Sequence, residues 1–323
     1  MQRKTRVLII GGTGYVGGRL YDFLKEKGFE TDSVDLCWFG NNSGIMNEWK
    51  DYATMQAEEF SVYDVIVLLA GNSSVKMSGH HLSTLKNNVV NFVDLANKLM
   101  QLPSPPKLIY ASSSSVYGDS KEKEVTEDSD VFVPNNYYDL SKHEIDLYAK
   151  MLIEQGKLEI YGLRFGTVNG YSKNLRCDIM INAMFRSARE TGEVNLFNPQ
   201  VHRPILGIED LCRAVEQIIL NGNRATSGLY NLSSFNSTAK EIAEKVAKEL
   251  KAHIILRQPL PLDQCKTNYK LQSMAYDFSM NTEKFEKTFN FKFKDTVESI
   301  VKSLKDNELK AIKTMREGVR IYQ

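Results

Sequence analysis

Within the first two dozen residues a short apolar run, Val7-Leu8-Ile9-Ile10, passes directly into Gly11-Gly12-Thr13-Gly14-Tyr15-Val16-Gly17 and then into a stripe formed by Leu20, Phe23 and Leu24. That order predicts a buried strand, a tight glycine turn and an amphipathic helix, and no other stretch of the chain restricts the fold as strongly. Glycines let the backbone turn sharply and approach a pyrophosphate closely, while the free N–H groups of the helix start face the anion. The spacing G-x-x-G-x-x-G differs from the commoner G-x-G-x-x-G, so the strand-to-helix setting carries the assignment.

Three further apolar runs extend the pattern. Residues 31–34 predict a strand that ends at Asp35, where a carboxylate accepts hydrogen bonds from both adenosine ribose hydroxyls and repels a 2′-phosphate. NAD is therefore expected rather than NADP, although a plain turn aspartate has the same appearance. The run from Asp64 to Leu69 closes on Ala70-Gly71, and residues 107–111 lead into Ser112-Ser113-Ser114-Ser115-Val116-Tyr117-Gly118. Strands alternating with helical stretches such as 85–100 predict the α/β fold class, a Rossmann-type doubly wound parallel sheet with a smaller C-terminal α/β lobe. The expected division is 1–169 for the nucleotide domain and 170–323 for a substrate lobe, with segments around 203–212 returning to the first domain. Ligands of such sheets bind at the C-terminal ends of the strands, where Gly71 and the serine run fall.

Downstream, Asn-Asn-Tyr-Tyr-Asp-Leu-Ser-Lys places Tyr138 four residues, about one helical turn, before Lys142. Tyr137 falls off that face. A free phenol titrates near ~10, and a neighbouring positive charge lowers it toward the phenolate needed of a base. Taken alone the pair reads as easily as a chance surface contact; after a glycine turn and a serine run it reads as a redox site.

Together these residues resemble the extended short-chain dehydrogenase/reductase family, in particular its NAD-dependent nucleotide-sugar epimerases and dehydratases. The likeness spans almost the whole chain: the glycine motif at 11–17, Asp35, Leu69-Ala70-Gly71, the Ser-Ser-x-x-Val-Tyr-Gly block, Tyr138-x-x-x-Lys142, Leu163-Arg164-Phe165, and Arg203-Pro204 ahead of Glu209-Asp210. The resemblance implies Tyr138 as acid/base, Lys142 as the group that lowers its pKa and holds the nicotinamide ribose, and Ser113 as the partner of the reacting sugar hydroxyl. It implies a cofactor site of Gly11, Gly14, Tyr15, Val16, Gly17, Asp35, Asp51, Tyr52, Leu69, Ala70, Gly71, Asn88 and Phe165, together with Tyr138 and Lys142. Substrate contacts implied are Ser113, Ser114, Thr167, Arg176, Asn182 and Arg203, the last because a planar guanidinium suits phosphate oxygens.

Departures narrow the chemistry. Family 4,6-dehydratases carry Asp-Glu directly after the active Ser or Thr; here Ser114 and Ser115 stand there, and an unactivated hydroxyl is no general base near neutral pH. Thr167 replaces an amide common in the family. The expected activity is hydride transfer at C4 of a nucleoside-diphosphate hexose or heptose, as a 4-epimerase or a C4 dehydrogenase. A reductase of a 4-keto sugar nucleotide and a non-catalytic NAD sensor are the alternatives.

Lys and Arg total 41 against 40 Asp and Glu, a balance that argues against nucleic-acid binding and suits one small anionic ligand. The early apolar run is too short for a membrane segment, so a cytoplasmic enzyme is expected. Cysteines at 37, 177, 212 and 265 show no metal or redox spacing, and His80-His81 has no third ligand nearby, so no metal is expected. Stripes through Val89, Phe92, Val93 and Ala96 and through Ile145, Tyr148 and Leu152 read as core faces or as a subunit seam; the resemblance implies a homodimer. Helices are expected at 178–190, at 239–250 and from 296 to about 319.

Overall fold

The computed structural model describes residues 3–130, 133–258 and 276–308. Its centre is a seven-stranded sheet in which every neighbouring pair is parallel. The strands β1 (Arg6–Ile10), β2 (Glu30–Asp35), β3 (Glu48–Trp49), β4 (Val65–Leu68) and β5 (Lys107–Ser113) are followed by Ile160–Phe165 and Gly228–Leu232. In space the order runs from Gly228–Leu232 through Ile160–Phe165, β5, β4 and β1 to β2 and β3. The chain therefore starts in the middle and winds outward in both directions. The reversal beside β1 leaves a crevice above the strand ends, the usual ligand position in doubly wound sheets.

Local sequence explains the framework. Val7 to Ile10 are fully buried because helices cover both faces of the sheet, as all-parallel sheets require. The helix α1 (Tyr15–Glu26) buries Leu20, Phe23 and Leu24 in one core. The helix Asn91–Met100 buries Phe92, Leu95, Ala96 and Leu99 on the opposite face, together with Ile145 and Leu152 of the helix Tyr137–Glu154. The stripe residues Phe92, Ala96, Ile145 and Leu152 thus pack on the sheet, while Val90, Leu147 and Met151 of the same region face outward. The expected helix over 85–100 begins with a widened π-type turn, Leu85–Val90, before becoming regular.

The second lobe holds a three-stranded sheet, with His202–Gly207 between Phe235–Thr238 and Thr167–Asn169, and a two-stranded pair, His253–Leu256 with Glu193–Leu196. Helices Met180–Thr191, Ala239–Leu250 and Val297–Asp306 share its core through Phe185, Ile242, Val246 and Val301. The later part of the helical stretch expected after 296 lies outside the described residues, as does Cys265. The helix Ile208–Asn221 and the strand Gly228–Leu232 pack on the large sheet, so the two lobes interleave along the chain. Glu209 pairs with Arg19 of α1 within the first lobe, and buried Asp210 accepts the N–H groups of Lys294 and Asp295, just ahead of the helix Val297–Asp306, which ties the lobes together.

Candidate active site

A cleft of about 600 Å³ opens over the C-terminal ends of β1, β2 and β4. Gly11, Gly14, Tyr15, Val16, Gly17, Asp35, Asp51, Tyr52, Leu69, Ala70 and Gly71 all line it. Two glycines are dictated by the chain itself. Gly11 has φ +95°, and a Cβ there would sit 2.6 Å from the Ala70 nitrogen; a Cβ on Gly17 would meet the Gly11 carbonyl oxygen at 2.1 Å. Gly14 differs, because the only neighbour its Cβ would meet is the Gly11 oxygen at 3.3 Å. Its side faces the cleft, and no side chain caps the start of α1. A bare helix N-terminus beside a glycine that the fold does not itself demand suits a diphosphate held by backbone N–H groups.

At the other end of the cleft each oxygen of Asp35 accepts one backbone N–H, from Thr13 at 3.0 Å and from Cys37 at 2.9 Å, leaving lone pairs on both for ribose hydroxyls. Lys50, a cation on this wall, is paired with Glu59 and Glu48. It is thereby committed away from a 2′-phosphate. The Asp51 carboxylate caps the short turn Tyr52–Thr54 through the Ala53 N–H. These residues fit NAD: Gly14 and the start of α1 would hold the diphosphate and Asp35 the ribose.

Tyr138 lies in the first turn of the helix Tyr137–Glu154, which Asn136 caps by accepting the Asp139 N–H. Ser113 ends β5. Although 25 residues apart, the two side chains come near enough for the Ser113 hydroxyl to act on the phenol. Burial pushes the Tyr138 phenol above its ordinary value; the Ser113 hydroxyl and the Arg176 charge pull it down, and Asp139 opposes them. Lys142 donates to the Ala111 carbonyl at 2.7 Å, with its ammonium 5.9 Å from the Tyr138 ring centre. Burial lowers Lys142 to about 8, with Asp146 one turn on working against the fall. Arg176, on the wall of the cleft, thus acts on the phenol as a cation, while the Lys142 ammonium lies over the Tyr138 ring.

The remaining expected residues divide. Asn88 is buried, and its amide is spent on Asn72 N–H, Asn72 carbonyl and Ser141 hydroxyl, so it positions the loop after β4 instead of facing the cleft. Asn182 is a second correction. It is fully buried and bonds Gly170, Tyr15 and the Arg176 carbonyl, which makes it the pin of the 170–176 segment with no face toward a substrate. Phe165 and Thr167 lie on half-buried strand positions, Phe165 packing against the core of the large sheet. Ser114 sits in the short turn after β5, and Ser115 lies 2.9 Å from the Ser113 hydroxyl. Among the described residues no His/Cys/Asp/Glu cluster could hold a metal ion. His80 caps a turn and His81 stacks on Tyr137. No helix of the described residues is long and apolar enough to cross a membrane.

Arg203 lines a second cavity of about 350 Å³, with Met180, Met184 and Phe197. Burial lowers its pKa, Asp277 counteracts, and no described residue pairs with its guanidinium. Sequence reasoning did not single out Asp178, which lines both cavities and holds Arg176 by two bonds of 3.0 and 2.8 Å. Arg176 also donates to the Ser73 carbonyl at 3.3 Å, linking the second lobe to the loop after β4. The only advance signal was the charged triplet spacing Arg-x-Asp, which is too common to read.

The profile of the NAD dependent epimerase/dehydratase family matches residues 7–233. UDP-glucose 4-epimerase of Mycoplasma genitalium is 29% identical over 185 residues, covering 52% of this chain and 54% of that protein, so the chain spans about half its length. ADP-L-glycero-D-manno-heptose-6-epimerase of Brachyspira hyodysenteriae is 25% identical over 266 residues, 76% of this chain and 80% of that protein. Among solved structures, UDP-glucose 4-epimerase of Thermotoga maritima with UDP-glucose superposes with a TM-score of 0.79 at 18% identity, covering 97% of this chain and 99% of that one. At that identity the likeness concerns the fold.

Proposed function

This chain belongs to the NAD dependent epimerase/dehydratase family, and from that premise we propose that it oxidises C4 of a nucleoside-diphosphate hexose or heptose, as a 4-epimerase or a C4 dehydrogenase. The observation that carries the reading is that Ser113 at the end of β5 and Arg176 on the wall of the cleft both act on the Tyr138 phenol. Ser113 orients the sugar hydroxyl, and Tyr138 as phenolate takes its proton. Lys142 anchors the tyrosine helix to β5 and offers its remaining N–H groups to the nicotinamide ribose. Bound NAD supplies the hydride acceptor. The desolvated Arg203 guanidinium, with no ion pair among the described residues, is matched to a diphosphate, because a buried cation gains most from an anionic partner. Ser114 and Ser115 carry no acid or base, which speaks against 4,6-dehydration. A homodimer through the outward faces of the two helices bearing Val90, Leu147 and Met151 belongs to the same reading.

The test mixes NAD-loaded protein with UDP-, GDP-, CDP-, dTDP- and ADP-linked hexoses and heptoses, following NADH absorbance and the NMR spectrum of each product. Lasting NADH with a 4-keto product identifies a dehydrogenase; C4 inversion without net NADH identifies an epimerase. The relative matched over the longer stretch is named for a 6-epimerisation, so inversion at C6 would move the reacting carbon. Tyr138→Phe should abolish turnover while binding NAD normally, and near-normal turnover in that variant sinks the assignment.

A further inference from the structure

We propose that Trp38 forms the adenine wall of the cofactor site, with its indole stacked on the base. The chain turns immediately after the ribose carboxylate: Cys37 adopts a left-handed φ of 54°, and its N–H is held by Asp35 at 2.9 Å. That turn delivers Trp38 into the wall of the cleft. The segment is pinned from behind. Trp49 on β3 donates its indole N–H to the Leu36 carbonyl at 2.9 Å, and Asn47 donates to the Asp35 carbonyl at 3.3 Å. Trp38 nevertheless remains 45% exposed. An indole that lines a cleft, follows a fixed turn and is nearly half exposed is a large apolar surface that a flat partner can cover. The base of a dinucleotide whose ribose sits on Asp35 is that partner. Asp51 and Tyr52 line the same cleft, so base contacts are available beyond the indole. Lys50 offers no competing cation because Glu59 and Glu48 hold it.

Stacking of a base on an aromatic side chain is sequence-tolerant and, judged by alanine substitution, corresponds to roughly tenfold in affinity or more. The chain has two tryptophans, Trp38 and Trp49, which makes the proposal directly readable. Full-length protein stripped of nucleotide is titrated with NAD, AMP and nicotinamide mononucleotide while tryptophan fluorescence is followed, and NAD affinity is measured independently by calorimetry. NAD and AMP should both quench the parent and the Trp49→Phe variant, and nicotinamide mononucleotide should not. Trp38→Leu should lose the quench and bind NAD about tenfold more weakly, with an unchanged circular dichroism spectrum. A quench that survives in Trp38→Leu, or calorimetric NAD affinity within twofold of the parent, overturns the proposal.

Discussion

Replacing Asp146 by Asn probes the polar network beneath the tyrosine helix. Its two oxygens accept from the Tyr110 hydroxyl and from Arg164 Nε, each at 2.8 Å. The Asp146 and Arg164 side chains are only 3% and 4% exposed. Asn fills the same space but removes the charge. Arg164 then loses its carboxylate partner and keeps the neutral Tyr117 hydroxyl at 2.8 Å and the Glu127 carbonyl at 3.4 Å, and burial pushes the nearby Glu127 carboxyl toward its neutral form. Two unit charges about 4 Å apart at an effective dielectric of about 20 interact by about 4 kcal/mol. Breaking a buried pair from one side costs ~3–5 kcal/mol, because the remaining charge is left uncompensated. With an unfolding entropy of about 2.1 cal/mol/K per residue over 323 residues, the melting temperature should fall by about 4–7 °C. The double variant Asp146→Asn/Arg164→Met removes both charges and should recover most of the loss. Thermal melts followed by circular dichroism decide it, with Arg3→Ala, whose partner is exposed Asp64, as a control expected to change little. A single variant melting within 1 °C of the parent, or a double variant no better than the single, would show that the buried pair does not compensate charge as argued.

Gly17→Ala should destabilise by ~1–3 kcal/mol or more, because its Cβ meets only backbone, whereas Gly14→Ala should melt like the parent and lose NAD affinity; melts and calorimetry on both variants separate the two roles. Lys142 is held at about 8 against an ordinary 10.5. Below that pH its burial cost is fully carried. Between about 8 and 10.5 the unfolded chain binds the extra proton, so the parent should gain stability relative to Lys142→Met as pH rises; a constant gap in urea midpoints across that range contradicts the desolvated placement. Arg203→Ala should raise KM for the sugar nucleotide about tenfold or more, as expected for a lost charge-assisted bond, and leave calorimetric NAD affinity unchanged; an unaltered KM removes Arg203 from the substrate site.

How much of this was legible in advance depends on the range over which each feature acts. The strand, glycine turn and α1 are encoded within about twenty consecutive residues, since sterics at Gly11 and Gly17 and a 3.6-residue apolar stripe are local properties. Asp35 at a strand end and Tyr138 one turn before Lys142 follow from the same short-range geometry. The outward and inward faces of the two helices beside the sheet were ambiguous, because the same stripe serves a core or a partner until the sheet is in place. Asn88 and Asn182 were read as ligand contacts, yet each amide is saturated by groups that only folding brings near, Ser141 for one and Tyr15 for the other. Asp178 and the place of Trp38 in the cleft wall gave no usable pattern at all. Sequence by itself determined a parallel nucleotide-binding sheet and the tyrosine–lysine turn that accompanies it. Tertiary structure decided that Ser113 meets Tyr138, that Arg176 comes near enough to draw the phenol down, and that Arg203 lines a second cavity without an ion pair among the described residues. Those outcomes depend on distances between segments far apart in the chain and on the water that burial removes, and neither is written in local spacing.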